Sequence, residues 1–250
     1  MKKLLIPVFN RIARALGIID IQSRLDRIES HFADRRVSDS LYSAIEDRFR
    51  GDPQTIKLRQ SSYLEHMNGI PTGLPVLDLG SGRGEWLEVL RERAVTAEGV
   101  DSNQEFVSSA RARGLSVTHD DIITHLRNRP ASSVSAVTMF QVAEHLPLGV
   151  LEHTLALVHR VIAAGGLLIV EIPNIETLRV GAATFWIDPT HERPLFPEFL
   201  AFMIERAGFT NLRRVTSTAL SQAPTGLSEV EQQMHERING HGDFAVIATR

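Results

Sequence analysis

Residues 76–86, Val-Leu-Asp-Leu-Gly-Ser-Gly-Arg-Gly-Glu-Trp, run a short apolar segment into three glycines at alternate positions, Gly80, Gly82 and Gly84. Glycine reaches positive φ cheaply and has no Cβ to hold a ligand off the main chain. A strand that ends this way and leads into a helix can fold its backbone against a nucleotide. Asp101 closes the next apolar run about twenty residues after Gly80, where a carboxylate can accept both hydroxyls of a ribose. The run after that ends in His119, Asp120 and Asp121, followed by Ile122. That puts an acid and an apolar side chain where the base of the same ligand would lie. The competing reading of Asp101 is a helix N-cap, because Ser102 and Asn103 follow it and a helical pattern begins.

A second group of residues is suited to proton transfer. Glu144 and His145 follow the apolar run 134–140, and His191 lies in the segment Asp188-Pro189-Thr190-His191-Glu192-Arg193-Pro194. Both segments come after C-terminal ends of strand-like runs, where ligands bind in open α/β sheets. His191 is expected to act as a base toward an acceptor or as a hydrogen-bond donor to it, and His145 either as a base or as a loop-orienting residue. Asp188, Arg193 and Trp186 are expected to contact the acceptor, with the pair Phe185-Trp186 offering a flat face to a sugar ring or an adenosine edge. Three prolines, Pro189, Pro194 and Pro197, limit the backbone freedom of this stretch. Asp188 and His191 with Glu144 and His145 could also ligate a metal through oxygen and nitrogen. Such groupings are common without one, and no metal is expected.

The ligand's charge is legible too. A dinucleotide fingerprint reads G-x-G-x-x-G and sets a pyrophosphate on a helix N-terminus. Here the spacing is G-x-G-x-G and Glu85 follows, an acid that would repel a pyrophosphate but suits a sulfonium. Asp78, two residues before Gly80, adds negative charge suited to an ammonium group. S-adenosylmethionine satisfies these charges better than a dinucleotide does.

The elements that must position these groups follow from pattern. The 250-residue chain has globular composition, a net charge of −3 and no cysteine. This excludes disulfides, thiolate metal sites and a cysteine nucleophile, and leaves no basic footprint for nucleic acid. The first apolar run, residues 4–9, is interrupted by Pro7 and is too short to span a bilayer, so a cytoplasmic location is expected. Strand-like runs at 75–79, 97–101, 116–119, 134–140 and 167–172 alternate with helical stretches at 85–93, 104–113 and 149–163. Two further strands, 211–218 and 244–249, are joined through a polar segment containing a short helix. This predicts a parallel sheet covered on both faces, with an antiparallel strand at the end. Residues 36–73 read as helices preceding this core, residues 74–250. Residues 1–35 form a basic amphipathic extension. In it, Ile18, Ile21, Leu25, Ile28 and Phe32 mark an a/d seam too short to stand alone. A second copy, an anionic membrane surface or the protein's own body are the partners it could take.

Residues 76–86, 99–101, 120–122, 140–147 and 164–166 together resemble the successive motifs of class I S-adenosylmethionine-dependent methyltransferases. Outside the core, Phe49-Arg50-Gly51, Ile56-Lys57-x-Arg59, Tyr63-Leu64 and the Asp188–Pro194 segment (188–194) are similar to bacterial methyltransferases of surface-polysaccharide and O-antigen gene clusters. The resemblance implies a Rossmann-like α/β sheet with a C-terminal antiparallel strand and an N-terminal helical extension. It implies Gly80, Gly82 and Gly84 under the methionine and ribose, Asp101 on the ribose, Asp121 on the adenine amino group and Ile122 over the ring. Gln141 would line the methyl-transfer site, and Arg59, with Tyr42 beside it, would hold the methionine carboxylate. The expected reaction is O-methylation of a sugar hydroxyl or sugar phosphate on a glycan or lipid-linked saccharide, with peripheral contact to the inner membrane through residues 1–35. A methyltransferase-like scaffold and a small-molecule methyltransferase outside glycan biosynthesis are the alternatives.

Overall fold

Seven strands form one sheet in the order β3-β2-β1-β4-β5-β7-β6. In the computed structural model residues 37–217 and 219–250 are described. The seam at residues 18–32 and the basic segment before it lie outside the described residues. Residues 42–250 cluster as one unit, and of the other, residues 1–41, only 37–41 are described.

Strands β1 (Val76–Leu79), β2 (Ala97–Asp101), β3 (Val117–His119), β4 (Val134–Phe140) and β5 (Ile162–Pro173) run parallel. β4 is buried along its whole length, which is why it reads as a mostly apolar run, broken only by Ser135 and Thr138, instead of an alternating one. Successive residues feed opposite faces. Leu77, Leu79, Val137 and Met139 join one apolar core, while Val76, Ala136 and Phe140 join the other. Helices α3 (Glu85–Glu92), α4 (Gln104–Ala112), α5 (Ile122–Asn128) and α6 (Leu148–Val161) make the crossovers. Trp86 and Leu90 of α3 pack on the second core; Leu151, Leu155 and Val158 of α6 pack on the first.

Among the described residues two α-helices precede the sheet, α1 (Asp39–Phe49) and α2 (Pro53–Ser61), the latter capped by Asp52, which accepts from the amides of Gln54 and Thr55. After β5 come the short helix α7 (Leu178–Ala182), a 3-10 turn at Thr184–Ile187 and helix α8 (Pro197–Arg206). The sequence patterns do not bring out α5 or α8, and they start β5 five residues late. Ala163, Gly165 and Gly166 look like a turn yet belong to the strand. β6 (Thr210–Thr216), helix α9 (Glu229–Asn239) and β7 (Asp243–Thr249) complete the chain. β7 inserts antiparallel between β5 and β6, which puts Asp243 opposite Pro173 at the carboxyl end of β5. β6 is the edge, and its exposed Arg213 and Arg214 guard it against pairing with another chain. Among the described residues no helix is long and apolar enough to cross a membrane.

Strand order reverses between β1 and β4, so their carboxyl ends open a crevice. Such a crevice is where open α/β sheets bind ligands.

Candidate active site

The glycine turn fills one side of that crevice. Gly80, Gly82 and Gly84 have φ of 68°, 51° and 85°. The backbone is also tight: a Cβ on Gly80 would lie 2.5 Å from Val142 Cγ2. The Gly82 amide donates to Asp101 Oδ2 at 2.7 Å and the Asn103 amide to Asp101 Oδ1 at 2.8 Å. Asn103, not Asp101, caps α4, accepting from the amides of Glu105 and Phe106. The carboxylate is therefore oriented by main-chain donors from the glycine turn and from the start of α4.

The charges around the turn differ from the simplest reading. Glu85 is buried and its Oε1 accepts from Arg83 Nε at 2.7 Å, so its charge is balanced locally. The argument against a pyrophosphate then rests on glycine spacing more than on this acid. Asp78 lies inside the sheet, accepts from Thr138 Oγ1 at 2.6 Å, and has its pKa pushed up to about 7 by burial. Arg50, at the end of α1, stands over the turn: a Cβ on Gly82 would be 3.5 Å from its Nη1, which donates to Glu46 Oε2 at 2.7 Å. Arg59 lies farther along, its Nη1 3.4 Å from Asp243 Oδ2. For a ligand carboxylate above the glycines, Arg50 is the better placed guanidinium. Asp121 is exposed and caps α5 through Thr124, with Ile122 packed against the core beside it.

The other side of the crevice holds a cavity of about 320 Å³. Gln141, Glu171 and Asp243 close its floor, with Tyr63 behind them. Gln141 has a positive φ of 58°, unusual outside glycine. Its Nε2 donates to Asp243 Oδ1 at 3.1 Å and to Glu171 Oε1 at 3.3 Å, and the Tyr63 hydroxyl donates to Glu171 Oε2 at 2.6 Å. Burial, reinforced by Asp243, pushes Glu171 up to about 7; burial also raises Asp243, against the pull of Arg59. Glu171 can therefore gain or lose a proton near neutrality.

The wall of the cavity comes from the two loops carrying histidines. His145 Nδ1 is 2.9 Å from Thr190 Oγ1, which donates to Asp188 Oδ1 at 2.6 Å. His191 Nδ1 donates to the Phe185 carbonyl at 2.5 Å, and its ring lies 4.3 Å from that of Phe185 and 4.7 Å from that of His145. Tyr42 meets His145 edge-on at 6.2 Å. Burial, then the neighbouring His191, lowers the pKa of His145 to about 4, so it is neutral at physiological pH.

The structure thus brings Arg59, Gln141, Glu144, His145, Asp188 and His191 together. Trp186 and Arg193 stay outside. Trp186 is 60% exposed with its indole N–H on the Gly181 carbonyl, and the 3-10 turn points Phe185 and Ile187 inward instead. Arg193 is exposed and does not line the cavity. The sequence reading misses Arg50, Glu171 and Asp243 as site residues. A lone acid in the run Leu167-Leu168-Ile169-Val170-Glu171-Ile172 is the signal that could have marked Glu171.

Comparison with known proteins bears on the same features. The sequence profile of the family described as "Methionine biosynthesis protein MetW" matches residues 60–180. A crystal structure of an S-adenosylmethionine-dependent methyltransferase from Archaeoglobus fulgidus superposes with a TM-score of 0.74 at 27% identity, covering 84% of this chain and 99% of the other. The fold is that of a class I S-adenosylmethionine-dependent methyltransferase. A more distant example of this methyltransferase fold is phosphoethanolamine N-methyltransferase 2 of Haemonchus contortus in complex with S-adenosyl-L-methionine. It has a TM-score of 0.63 at 14% identity over 88% of this chain and 59% of that one. A Mycolicibacterium smegmatis protein named "Probable S-adenosylmethionine-dependent methyltransferase" is 31% identical over 139 residues, 55% of this chain. The chain spans about half of that relative's length, the match covering 52% of it. Gly80, Gly82, Gly84 and Asp101 lie at the crevice where open α/β sheets bind ligands.

Proposed function

We propose that the chain is an S-adenosylmethionine-dependent methyltransferase that O-methylates a sugar hydroxyl or sugar phosphate of a bacterial surface glycan. The observation that carries the first half is the Gly82–Asp101 hydrogen bond, which presents a ribose-binding carboxylate over three left-handed glycines in this fold. When bound there, S-adenosylmethionine supplies an electrophilic methyl group. The protein's own part is to orient and to keep water out. Asp101 receives the ribose hydroxyls, Asp121 and Ile122 flank the adenine position, and Arg50, with Arg59 beyond it, faces the carboxylate. Asp78 lies behind the turn, its pKa raised to about 7 by burial.

The acceptor half rests on the cavity. A hydroxyl must lose its proton as it is methylated, and neutral His145, His191 and the proton-exchanging Glu171 lie around one space of about 320 Å³. Asp188 orients His145 through Thr190. The glycan assignment is supported by the resemblance of residues 188–194 and of the helices before the core. A lipid-linked acceptor would place the enzyme on the cytoplasmic face of the inner membrane, with residues 1–35 serving as its membrane or self-association segment. Incubation with labelled S-adenosylmethionine and a panel of lipid-linked glycans, read by mass spectrometry, tests the acceptor. For a hydroxyl acceptor, His191→Ala should lower kcat by about 10²–10⁴ with cofactor affinity intact. For a phosphate the loss should fall on acceptor KM, with kcat less affected. No transfer to any glycan, with transfer to small amines, would replace this acceptor by a second one. The buried carboxylates Glu171 and Asp243, which suit a cationic amine, are the observation that favours it.

A further inference from the structure

Glu144 has an environment that methyl transfer does not explain. It is completely buried, and neither carboxylate oxygen has a hydrogen-bond partner. A carboxylate in that position is costly unless a proton or a cation joins it. It is aimed at two histidines: one ligand atom each from Glu144, His145 and His191 lies within 4.8 Å of the others.

Hydrogen bonding fixes both imidazole tautomers. The Phe185 carbonyl can only accept, so His191 carries its proton on Nδ1 and a lone pair on Nε2. The Thr190 hydroxyl gives its proton to Asp188 Oδ1 and therefore accepts from His145 Nδ1–H, which leaves a lone pair on His145 Nε2. A carbonyl or carboxylate behind the protonated nitrogen is the usual setting of a metal-bound histidine. The two loops are already tied together, because the Glu192 amide donates to the Glu144 carbonyl at 2.8 Å.

We propose that Glu144, His145 and His191 bind a divalent transition-metal ion. Two imidazoles and one carboxylate suit zinc, cobalt, manganese or ferrous iron better than magnesium, which prefers oxygen and keeps its waters. Ligand atoms about 2.1 Å from one ion sit roughly 3–4 Å apart, so the three side chains draw in by at most about 2 Å. The remaining coordination positions face the cavity that His145 and His191 line, where one or two acceptor oxygens could complete the shell. The site stands on these residues alone, whether or not the chain transfers a methyl group.

The test uses the full, untagged chain, stripped with a chelator and titrated with cobalt followed by visible absorption and with zinc followed by calorimetry. Binding of S-adenosylhomocysteine and circular dichroism are recorded alongside. One ion per chain is expected, with cobalt d–d bands from a nitrogen–oxygen site. Glu144→Gln, His145→Ala and His191→Ala should each weaken binding on the order of 100-fold or more, and Asp188→Asn, acting through Thr190, by about 10–100-fold. Should Glu144→Gln fail to fold, His191→Ala reads the same ligand set from the other loop. A wild-type chain that takes up no stoichiometric ion overturns the proposal. So does a complex whose affinity survives both histidine substitutions, since the ion then sits elsewhere. Metal binding without S-adenosylhomocysteine binding would overturn the proposed function and leave this site standing.

Discussion

The two sides of the crevice solve their binding problems with different parts of the polypeptide. On the β1–β2–β3 side the working groups are main-chain: left-handed glycines, the amides of Gly82 and Asn103, and one carboxylate they hold in place. On the β4–β5–β7 side they are side chains. Glu171, Asp243, Gln141 and the histidines are drawn from four separate stretches and held by bonds among themselves. A main-chain cradle can fit only a ligand that is always the same, since almost nothing in it can be exchanged without refolding the turn. A wall of side chains can be recut one residue at a time. The cofactor side is thus expected to be rigid and general, and the acceptor side to carry the specificity.

This contrast predicts that damage will not cross from one side to the other. Asp101→Ala removes charge-assisted hydrogen bonds and should weaken S-adenosylhomocysteine by roughly 1.5–3 kcal/mol, or about 10–150-fold, in calorimetry. Acceptor KM should hold steady; an equal change in both would merge the two sides into one cooperative unit.

Gly80→Ala is next in size. Its Cβ would enter Val142 at 2.5 Å with φ at 68°, costing about 1–3 kcal/mol in denaturant melts. Because Val142 starts the loop toward Glu144, the added Val142→Ala change should recover part of that stability. No recovery would mean that the backbone conformation, not the contact, sets the cost.

The smallest effect is a pH slope. Folding raises Glu171 from its usual 4.5 to about 7, so the native state binds more protons than the unfolded state between those values. Stability that Glu171 contributes is therefore full below about 4.5 and is lost as pH rises through about 7. His145 works the other way, losing stability as pH falls from 6.5 toward 4, but it does so in wild type and variant alike. Glu171→Gln should gain roughly 1–2 kcal/mol over wild type on going from pH 5 to pH 8. A pH-independent difference would show that Glu171 is ionised throughout.

How far each side is legible in the sequence follows from the same division. Val134–Phe140 stands out to the residue because a strand buried on both faces is mostly apolar, and Ala97–Asp101 because its spacing from the glycine turn marks the acid that ends it. The glycine turn is legible because its chemistry is local: Gly80 to Asp101 is one strand–helix–strand unit. The floor of the cavity is not. Asp243 reaches Gln141 only because β7 folds back between β5 and β6, Tyr63 reaches Glu171 from the segment before the core, and no spacing along the chain announces contacts across 102 or 108 residues. Arg50 and Arg59 show the limit within a single motif. Both lie before the core, and only the turn between α1 and α2 decides which of them reaches the glycines.

The place of β7 in the sheet has a consequence for biosynthesis. β5 is an apolar strand of 12 residues, and one of its edges is covered by β7 alone. About 70 residues separate the end of the one from the start of the other, which at 5–20 residues per second leaves that edge open for roughly 4–14 s on the ribosome. The nascent protein can finish its cofactor half during translation while carrying a bare, sticky β edge on the other half. The interval in which this chain is most prone to aggregate is thus set by the order of its strands, and holding chaperones would act on it at that stage.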